Sequence, residues 1–538
     1  MASHVTIGKG SVVASSALRL LRPTHEHSSL SATILLAGSV IVSRVLGAVR
    51  DAYVAWAFGA GATTDAFVAA FTLPDLVNYL LAGSTASIAL ISILTRYKAE
   101  KREHEAQGAF SAIVTIVSVI VTILIVIAAV FAHPIIRVLC PRFTPDQLEL
   151  CVRLTRILLP VQAFFIVGGI VSATLQVRRR FLYPALVPVV FNLGIIAGGV
   201  LLSGRYGISG LAYGAVIGAF SGAILLNVIG ARRAGVSFRP SFQFRNPAFI
   251  EWLKLTIPLM IGASLVVFDD PFTRHFASGG AGDITRINYA KRMFVVPAAV
   301  IGQAAGQAYL PLFAKLFNET KRKEFGEVVN TVVSRAAMFS LLAGSWLFCA
   351  ALPCVDLIFR LVRGHFQFAD SQKTAVLLAC FSFALVFWSV QGFYARAFYA
   401  AGDTLTPMLV GTAIAAASFP IYGFMFQKMG IVGLPLASNF AMFLYAATLA
   451  TLLNRRKMVP LLAVNRIEIA KVAVAAVGSG VVGTTVALLV PPHGSRLDDV
   501  KSLAFTSIAW AISAVALLVV MKSTLFVDIR KMLRRVSS

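Results

Sequence analysis

Residues 109–132 read AFSAIVTIVSVIVTILIVIAAVFA. The run carries no charged side chain, and as a helix rising 1.5 Å per residue it is about 36 Å long. A hydrocarbon core of about 30 Å needs roughly 20 consecutive apolar residues. The run is a membrane span, and the rest of the chain shares its bias. Of 538 residues, 58% are hydrophobic and 13% charged, with a mean hydropathy of +0.82. A soluble domain has about a quarter of its residues charged, so a soluble globular protein is excluded, as is a disordered chain. Yet the formal net charge is +25, from 48 Lys and Arg against 23 Asp and Glu. A nucleic-acid binder would gather such charge on a water-facing patch. An inner-membrane protein places it in cytoplasmic loops, and a transporter of anions keeps a few cations inside the bilayer.

Working outward from 109–132, which is span 3, comparable runs lie at 33–58, 65–94, 152–176, 182–202, 207–230, 249–277, 284–310, 332–358, 375–397, 405–427, 430–453, 469–490 and 503–521. That makes about 14 spans. All are expected to be helices, because only helices or closed barrels satisfy the backbone in lipid, and no barrel strands of period two appear. Every second loop is basic: Arg96 to Arg102 after span 2, Arg178 to Arg180 after span 4, Arg232 to Arg245 after span 6, Lys315 to Lys323 after span 8, Arg455 to Lys457 after span 12. The basic side is expected to be cytoplasmic, which puts both termini there. Residues 1–32 read as a cytoplasmic tail rather than a signal peptide.

The two halves align at a constant offset of about 223 residues. Pro74 pairs with Pro297, Phe164-Phe165 with Phe387-Trp388, and Pro184 with Pro407. Gly207-Ile208-x-Gly210-Leu211 pairs with Gly430-Ile431-x-Gly433-Leu434. A six-span repeat keeps its topology, so the copies are parallel and related by an axis along the membrane normal. The expected architecture is an all-α polytopic membrane protein of two pseudo-symmetric six-helix lobes, residues 33–235 and 236–455. Spans 13–14 in residues 456–525 are added to these, followed by a tail at 526–538. Two like bundles suit a transporter that rocks about a central site.

Arg44 lies roughly 16 Å into span 1, near mid-bilayer. A charge there costs at least about 2.5–3.5 kcal/mol, so it implies a wet cavity or a partner such as Asp51 or Asp65. Arg50, Lys291 and Arg292 also sit well inside, and Asp269 and Asp270 lie in span 7. Guanidinium forks match phosphate oxygens bidentately, so facing bundles with cationic walls point to a phosphate-bearing substrate. Neither a Walker loop nor a Ser-His-Asp or HExxH spacing occurs, so enzymatic activity and direct ATP drive are not expected. No cofactor is implied; the membrane potential or a cation gradient is the expected drive. Five cysteines are too few for a disulfide framework, although Cys140 and Cys151 flank one loop and raise a pairing.

Ser43-Arg-Val-Leu-Gly-Ala-Val-Arg-Asp51, Phe58-Gly-Ala-Gly, Thr64-Asp-Ala-Phe67 and Leu73-Pro74 closely resemble the MurJ (MviN) family of lipid II flippases. So does Ala397-Phe-Tyr-Ala-Ala-Gly-Asp-Thr-Leu-Thr-Pro407, and Tyr289-Ala-Lys-Arg292 followed by Pro297 is similar to its span 8. The family belongs to the multidrug/oligosaccharidyl-lipid/polysaccharide exporter superfamily. The resemblance implies movement of undecaprenyl-pyrophosphate-linked peptidoglycan precursor across the bacterial inner membrane by alternating access. It implies that Arg44, Arg50 and Arg292 meet the pyrophosphate, with Lys291 adding charge, and that Asp51, Asp65 and Asp269 are functionally important acids. It implies that spans 13 and 14 form a lipid-tail groove. The implied partners are lipid II, membrane lipids and wall-synthesis proteins; no nucleic acid is expected. Where the family usually has two arginines and Ala-Glu-Gly after Leu-Pro, this chain has Asn78, Tyr79 and Ala82-Gly83-Ser84. Some members resemble sodium binders, for which Asp269 and Asn439 are the candidates here. The alternatives are a paralogous exporter of another polyprenyl-linked glycan, a cation-coupled drug exporter, and a non-transporting scaffold.

Overall fold

A computed structural model describes residues 29–80, 83–260, 265–319, 321–361, 364–460, 465–492 and 495–527. The expectations for most of the N-terminal tail and for the C-terminal Arg530, Lys531, Arg534 and Arg535 lie outside the described residues. Among those described, every regular element is a helix and no strand occurs. All the expected spans coincide with a helix or a broken set of helices. Eight segments are long and apolar enough to cross a membrane, and the pair Phe368–Ser382 and Leu385–Ala400, bent by 43°, adds a ninth. One of the eight, Leu405–Arg455, is two spans meeting at Gly430.

Of the remaining spans, 1 is continuous, and 2 and 8 are interrupted within the described residues. Span 1 is Ser29–Phe58, and span 2 is cut into Ala62–Ala70, Thr72–Leu80 and Gly83–Ala99. Pro74 sits in the first turn of Thr72–Leu80, where a missing N–H costs nothing. Span 7 comprises Pro247–Met260 and Leu265–Ala277. Span 8 runs Asp283–Ala298, then a π-helical turn Ala299–Ala304, then Ala305–Asn318. The π turn follows Pro297, whose absent N–H removes an i→i−4 bond and loosens the ladder.

The repeat is visible in the backbone. Gly207 ends span 5 at φ 55°, ψ −141°, and Gly430 ends span 11 at φ 59°, ψ −143°. Both positions need the left-handed region that favours glycine. After span 4, the N–H groups of Arg178 and Arg180 donate to the Leu175 carbonyl; after span 10, those of Ala401 and Asp403 donate to the Phe398 carbonyl in the same pattern.

The described chain gathers into two compact units. The first takes in residues up to Val54, Ala69–Val138 and Thr144–Ile261; the second takes in Ala55–Val68, Leu139–Phe143 and the chain from Gly262. In the first unit, span 4 (Pro145–Val177) is among the most buried helices. In the second, Arg322–Cys349 is equally buried. Spans 13 (Arg466–Leu489) and 14 (Arg496–Val520) pack on it through Met338, Leu342, Val472 and Leu518. Trp510 donates to Ser345 Oγ at 2.9 Å and Trp346 to Ser507 Oγ at 3.0 Å. All five cysteines are free thiols, so the Cys140–Cys151 pairing is not formed.

Candidate functional site

In the first unit the two arginines of span 1 sit in different environments. Arg44 is exposed and makes no ion pair with any described residue, whether Asp51, Asp65 or another. Arg50 donates from Nη2 and Nε to Asp51 Oδ1 at 2.9 and 3.0 Å, and from Nη1 to Asn192 Oδ1 at 2.9 Å. Asn192, on span 5, donates in turn to Ser43 Oγ at 3.2 Å and to the Pro188 carbonyl at 3.0 Å. Asp51 is buried. The Arg50 charge is therefore matched, and the network fastens span 1 to span 5. Asn192 was missed in the sequence; the available signal was an amide inside an otherwise apolar span.

In the second unit Lys291, on span 8, donates to Asp269 Oδ2 and to Asp270 Oδ1, both on span 7. Asp269 is only 1% exposed, and its other oxygen accepts from the Tyr422 hydroxyl of span 11. Arg274 approaches Asp270 at 3.8 Å. The two carboxylates are matched by Lys291 and Arg274, with Arg292 close to Asp270 as well, and the cluster joins three spans. Asp269 is engaged by an ammonium and a phenol, while Asn439 donates to the Cys380 carbonyl at 2.8 Å. Among the described residues no group of three His, Cys, Asp or Glu is placed to hold a metal. Arg292, next to Lys291, is exposed.

Asp65 has a different setting from the arginines. It is 1% exposed. Its Oδ2 accepts from Gly282 N at 2.6 Å, and its Oδ1 from Thr285 N at 2.8 Å and Thr285 Oγ1 at 2.6 Å. Gly282, at φ 84°, has no side chain to cap the helix it precedes. Asp65 supplies the missing acceptor and satisfies N–H groups that the first turn leaves without partners. Next to it, the buried Arg286 bridges Asp370 at 2.8 Å and Asp283 at 2.9 Å. Arg396 of span 10 lies against span 8, donating to Gly392 O at 2.9 Å and Gly302 O at 3.4 Å. A Cβ at Gly306 would fall 2.3 Å from its guanidinium, so glycine there makes room for the charge. Asn78 is half-buried and Tyr79 exposed. The side chains of Ala82 and Ser84, and those of Gln303 and Gln307 in span 8, lie outside the described set.

Within each unit the geometry separates matched charges from presented ones. Arg50, Lys291 and Arg286 are held by carboxylates and hold helices together. Arg44 is exposed on span 1 with no ion pair among the described residues, and Arg292 is exposed on span 8 beside Asp270. An exposed guanidinium at membrane depth can take a bidentate oxyanion such as a phosphate.

A family model described as "Lipid II flippase MurJ" matches residues 54–494. The chain is 27% identical over 429 residues to a protein named "Probable lipid II flippase MurJ" from Buchnera aphidicola, covering 78% of this chain and 83% of that one. It is 25% identical over 392 residues to "Lipid II flippase MurJ" from Burkholderia cenocepacia, covering 71% and 75%. A solved structure titled "Lipid II flippase MurJ, inward closed conformation" has the same fold, with a TM-score of 0.72 at 21% identity over 90% of this chain and 99% of that one. An inward-facing multidrug resistance MATE family transporter of the MOP superfamily aligns with a TM-score of 0.63 at 13% identity, over 79% and 98%.

Proposed function

The chain belongs to the lipid II flippase MurJ family, and from that premise we propose that it moves an undecaprenyl-pyrophosphate-linked peptidoglycan precursor from the cytoplasmic to the periplasmic leaflet by alternating access. It is a transporter, not an enzyme. The observation that carries the reading is Arg44, an exposed arginine at membrane depth that no described carboxylate neutralises. Such a group is costly in a bilayer and earns its retention only by meeting an anion. Arg292 is exposed in the second unit, beside Asp270. In this reading Arg44 and Arg292 take the pyrophosphate, while Arg50 and Lys291 set the positions of the helices that carry them. Asp51, Asp65 and Asp269 then matter by holding Arg50, the start of span 8 and Lys291. The alternating basic loops support a bacterial cytoplasmic membrane location with both termini inside. The exposed aliphatic faces of spans 13 and 14, among them Val474, Val481, Ile508 and Ile512, suit a polyprenyl tail.

A cation-coupled drug exporter of the same fold would favour unpaired acidic groups for cationic drugs, whereas Asp269 and Asp270 here are taken by Lys291 and Arg44 is exposed. The test is rescue of bacteria depleted of their own flippase. Wild type should restore growth and rod shape, Arg44→Ala should not, and both should reach the membrane in equal amount. Equal rescue by Arg44→Ala removes the basis of the reading.

A further inference from the structure

A buried acidic site in the second unit plays no part in this account. It lies where the helix Ala351–Phe359, the end of span 9, meets the start of span 14. Asp356 is 0% exposed and Asp499 1% exposed. Arg360 donates through Nε to Asp356 Oδ1 at 2.6 Å and through Nη2 to the other oxygen. That same Nη2 is 3.6 Å from Asp499 Oδ1, too far for a hydrogen bond. Among the described residues no N–H donates to either carboxylate oxygen of Asp499, whose carboxyl lies within hydrogen-bonding reach of that of Asp356. Two carboxylates and one guanidinium leave the site one negative charge in excess, and a buried unmatched charge is expensive.

A second observation points the same way. Ser502 and Thr506 follow Asp499 by three and seven residues and so share its helix face. Both are 0% exposed, and neither hydroxyl has a partner. Many helical hydroxyls in this chain bond back to the preceding turn, among them the buried Thr256 to Trp252 O at 2.7 Å and the half-buried Ser513 to Ala509 O and Thr484 to Gly480 O, both at 2.7 Å, although Ser371 and Thr374 are also buried without a partner. Ser502 and Thr506 forgo that bond, so three consecutive oxygen-bearing side chains on one face are left open. The first-turn N–H groups do not fill the gap, because those of Asp498 and Asp499 go to Ser495.

Among the described residues no further cation reaches Asp499. Asp498 and Lys501 are exposed and face each other at 3.9 Å. Span 13, packed along span 14, carries Arg466, Glu468 and Lys471 only at its opposite end, where Glu468 binds Ser523 and Thr524. Asp356 and Arg360 are the charged groups of the span 9 end that face Asp499. With two carboxylates and hydroxyl oxygens, and no third His, Cys, Asp or Glu, the donor set is hard and singly charged overall. It matches neither a transition metal nor a six- to eight-ligand calcium site.

We propose that Asp499, with Ser502 and the flank of Asp356, binds one monovalent cation, a proton or a sodium ion, which fastens the start of span 14 to the end of span 9. The test is thermal unfolding of the purified full-length protein in detergent, in two series. One titrates sodium chloride against choline chloride at about pH 8; the other lowers pH in choline alone. Wild type should gain stability along one series and Asp499→Asn should not, because the amide removes the excess charge. A sodium response that Ser502→Ala weakens roughly tenfold in half-saturating concentration assigns sodium. A pH response without a sodium response, with a protonated-carboxyl infrared band that Asp499→Asn lacks, assigns a proton. If wild type responds in neither series, or Asp499→Asn responds as wild type does, the site binds no cation. Should Asp499→Asn not fold, the Ser502→Ala titration and the wild-type infrared band decide in its place.

Discussion

Arg50 is matched by Asp51 and Asn192, whereas Arg44, on the same helix, faces outward without an ion pair. The two arginines should therefore fail differently when removed. Arg44→Ala should abolish transport and leave thermal stability within about 0.5 kcal/mol, as for exposed substitutions generally. Lys291→Ala should instead be destabilising, by about 3–5 kcal/mol, because it strands the buried Asp269 without its cation. Unfolding midpoints of the two purified variants separate these outcomes. Asp65 makes a third kind of residue. As a cap supplied from a distant segment it should cost about 0.5–2 kcal/mol on change to Ala. Asp65→Asn should cost less, since the amide keeps one acceptor oxygen for Gly282 or Thr285. Equal losses for the two variants would show that the negative charge, not the cap, is what matters at this position.

Spans 5 and 6 show how an element pair is specified by small residues. Gly194 and Gly198 on Leu182–Tyr206 face Gly210, Gly214 and Gly218 of the next span. A Cβ on Gly198 would fall 2.4 Å from Gly210 O and 2.5 Å from Gly214 Cα. Such close backbone approach lets helices pack in lipid, where burial of apolar surface gives no drive. Gly198→Ala should destabilise the pair by about 1–3 kcal/mol or more, seen as a lower unfolding temperature. Unchanged stability would mean that the helices do not approach as closely as described. The turn between spans 10 and 11 makes a different prediction. Burial raises the Asp403 carboxyl, but bonds from the Thr406 hydroxyl and N–H and from Arg456 outweigh it and hold its pKa below the ordinary 3.8. A depressed folded value means that stability is fully present above 3.8 and lost as pH falls through the folded value. Asp403→Asn should be less stable at neutral pH and lose less stability on acidification below about pH 4. An unaltered acid limb in melts across that range would count against this.

At the scale of the whole molecule, the helical membrane class was legible because apolar runs such as 109–132 admit one reading. The repeat was legible because proline and glycine positions recur, and Gly207 and Gly430 adopt the same backbone at matched positions. The candidate cations were legible as residues that are expensive at membrane depth. Their partners were not. Asn192 lies 142 residues from Arg50, and Tyr422 lies 153 from Asp269. Helix periodicity relates only residues a few positions apart, so it does not forecast a pairing across spans. For the same reason the sequence offered Arg44, Arg50, Lys291 and Arg292 as intramembrane cations, whereas folding matches Arg50 and Lys291 with acids and leaves Arg44 exposed with no ion pair among the described residues. The direct measurement is lipid translocation in proteoliposomes, scoring a polyprenyl-pyrophosphate-linked muropeptide against an uncharged polyprenyl lipid. Wild type should move the pyrophosphate lipid and not the uncharged one, and Arg44→Ala and Arg292→Ala should each slow it at least about tenfold while remaining folded. Equal transport of both lipids, or full transport by either variant, would contradict the account.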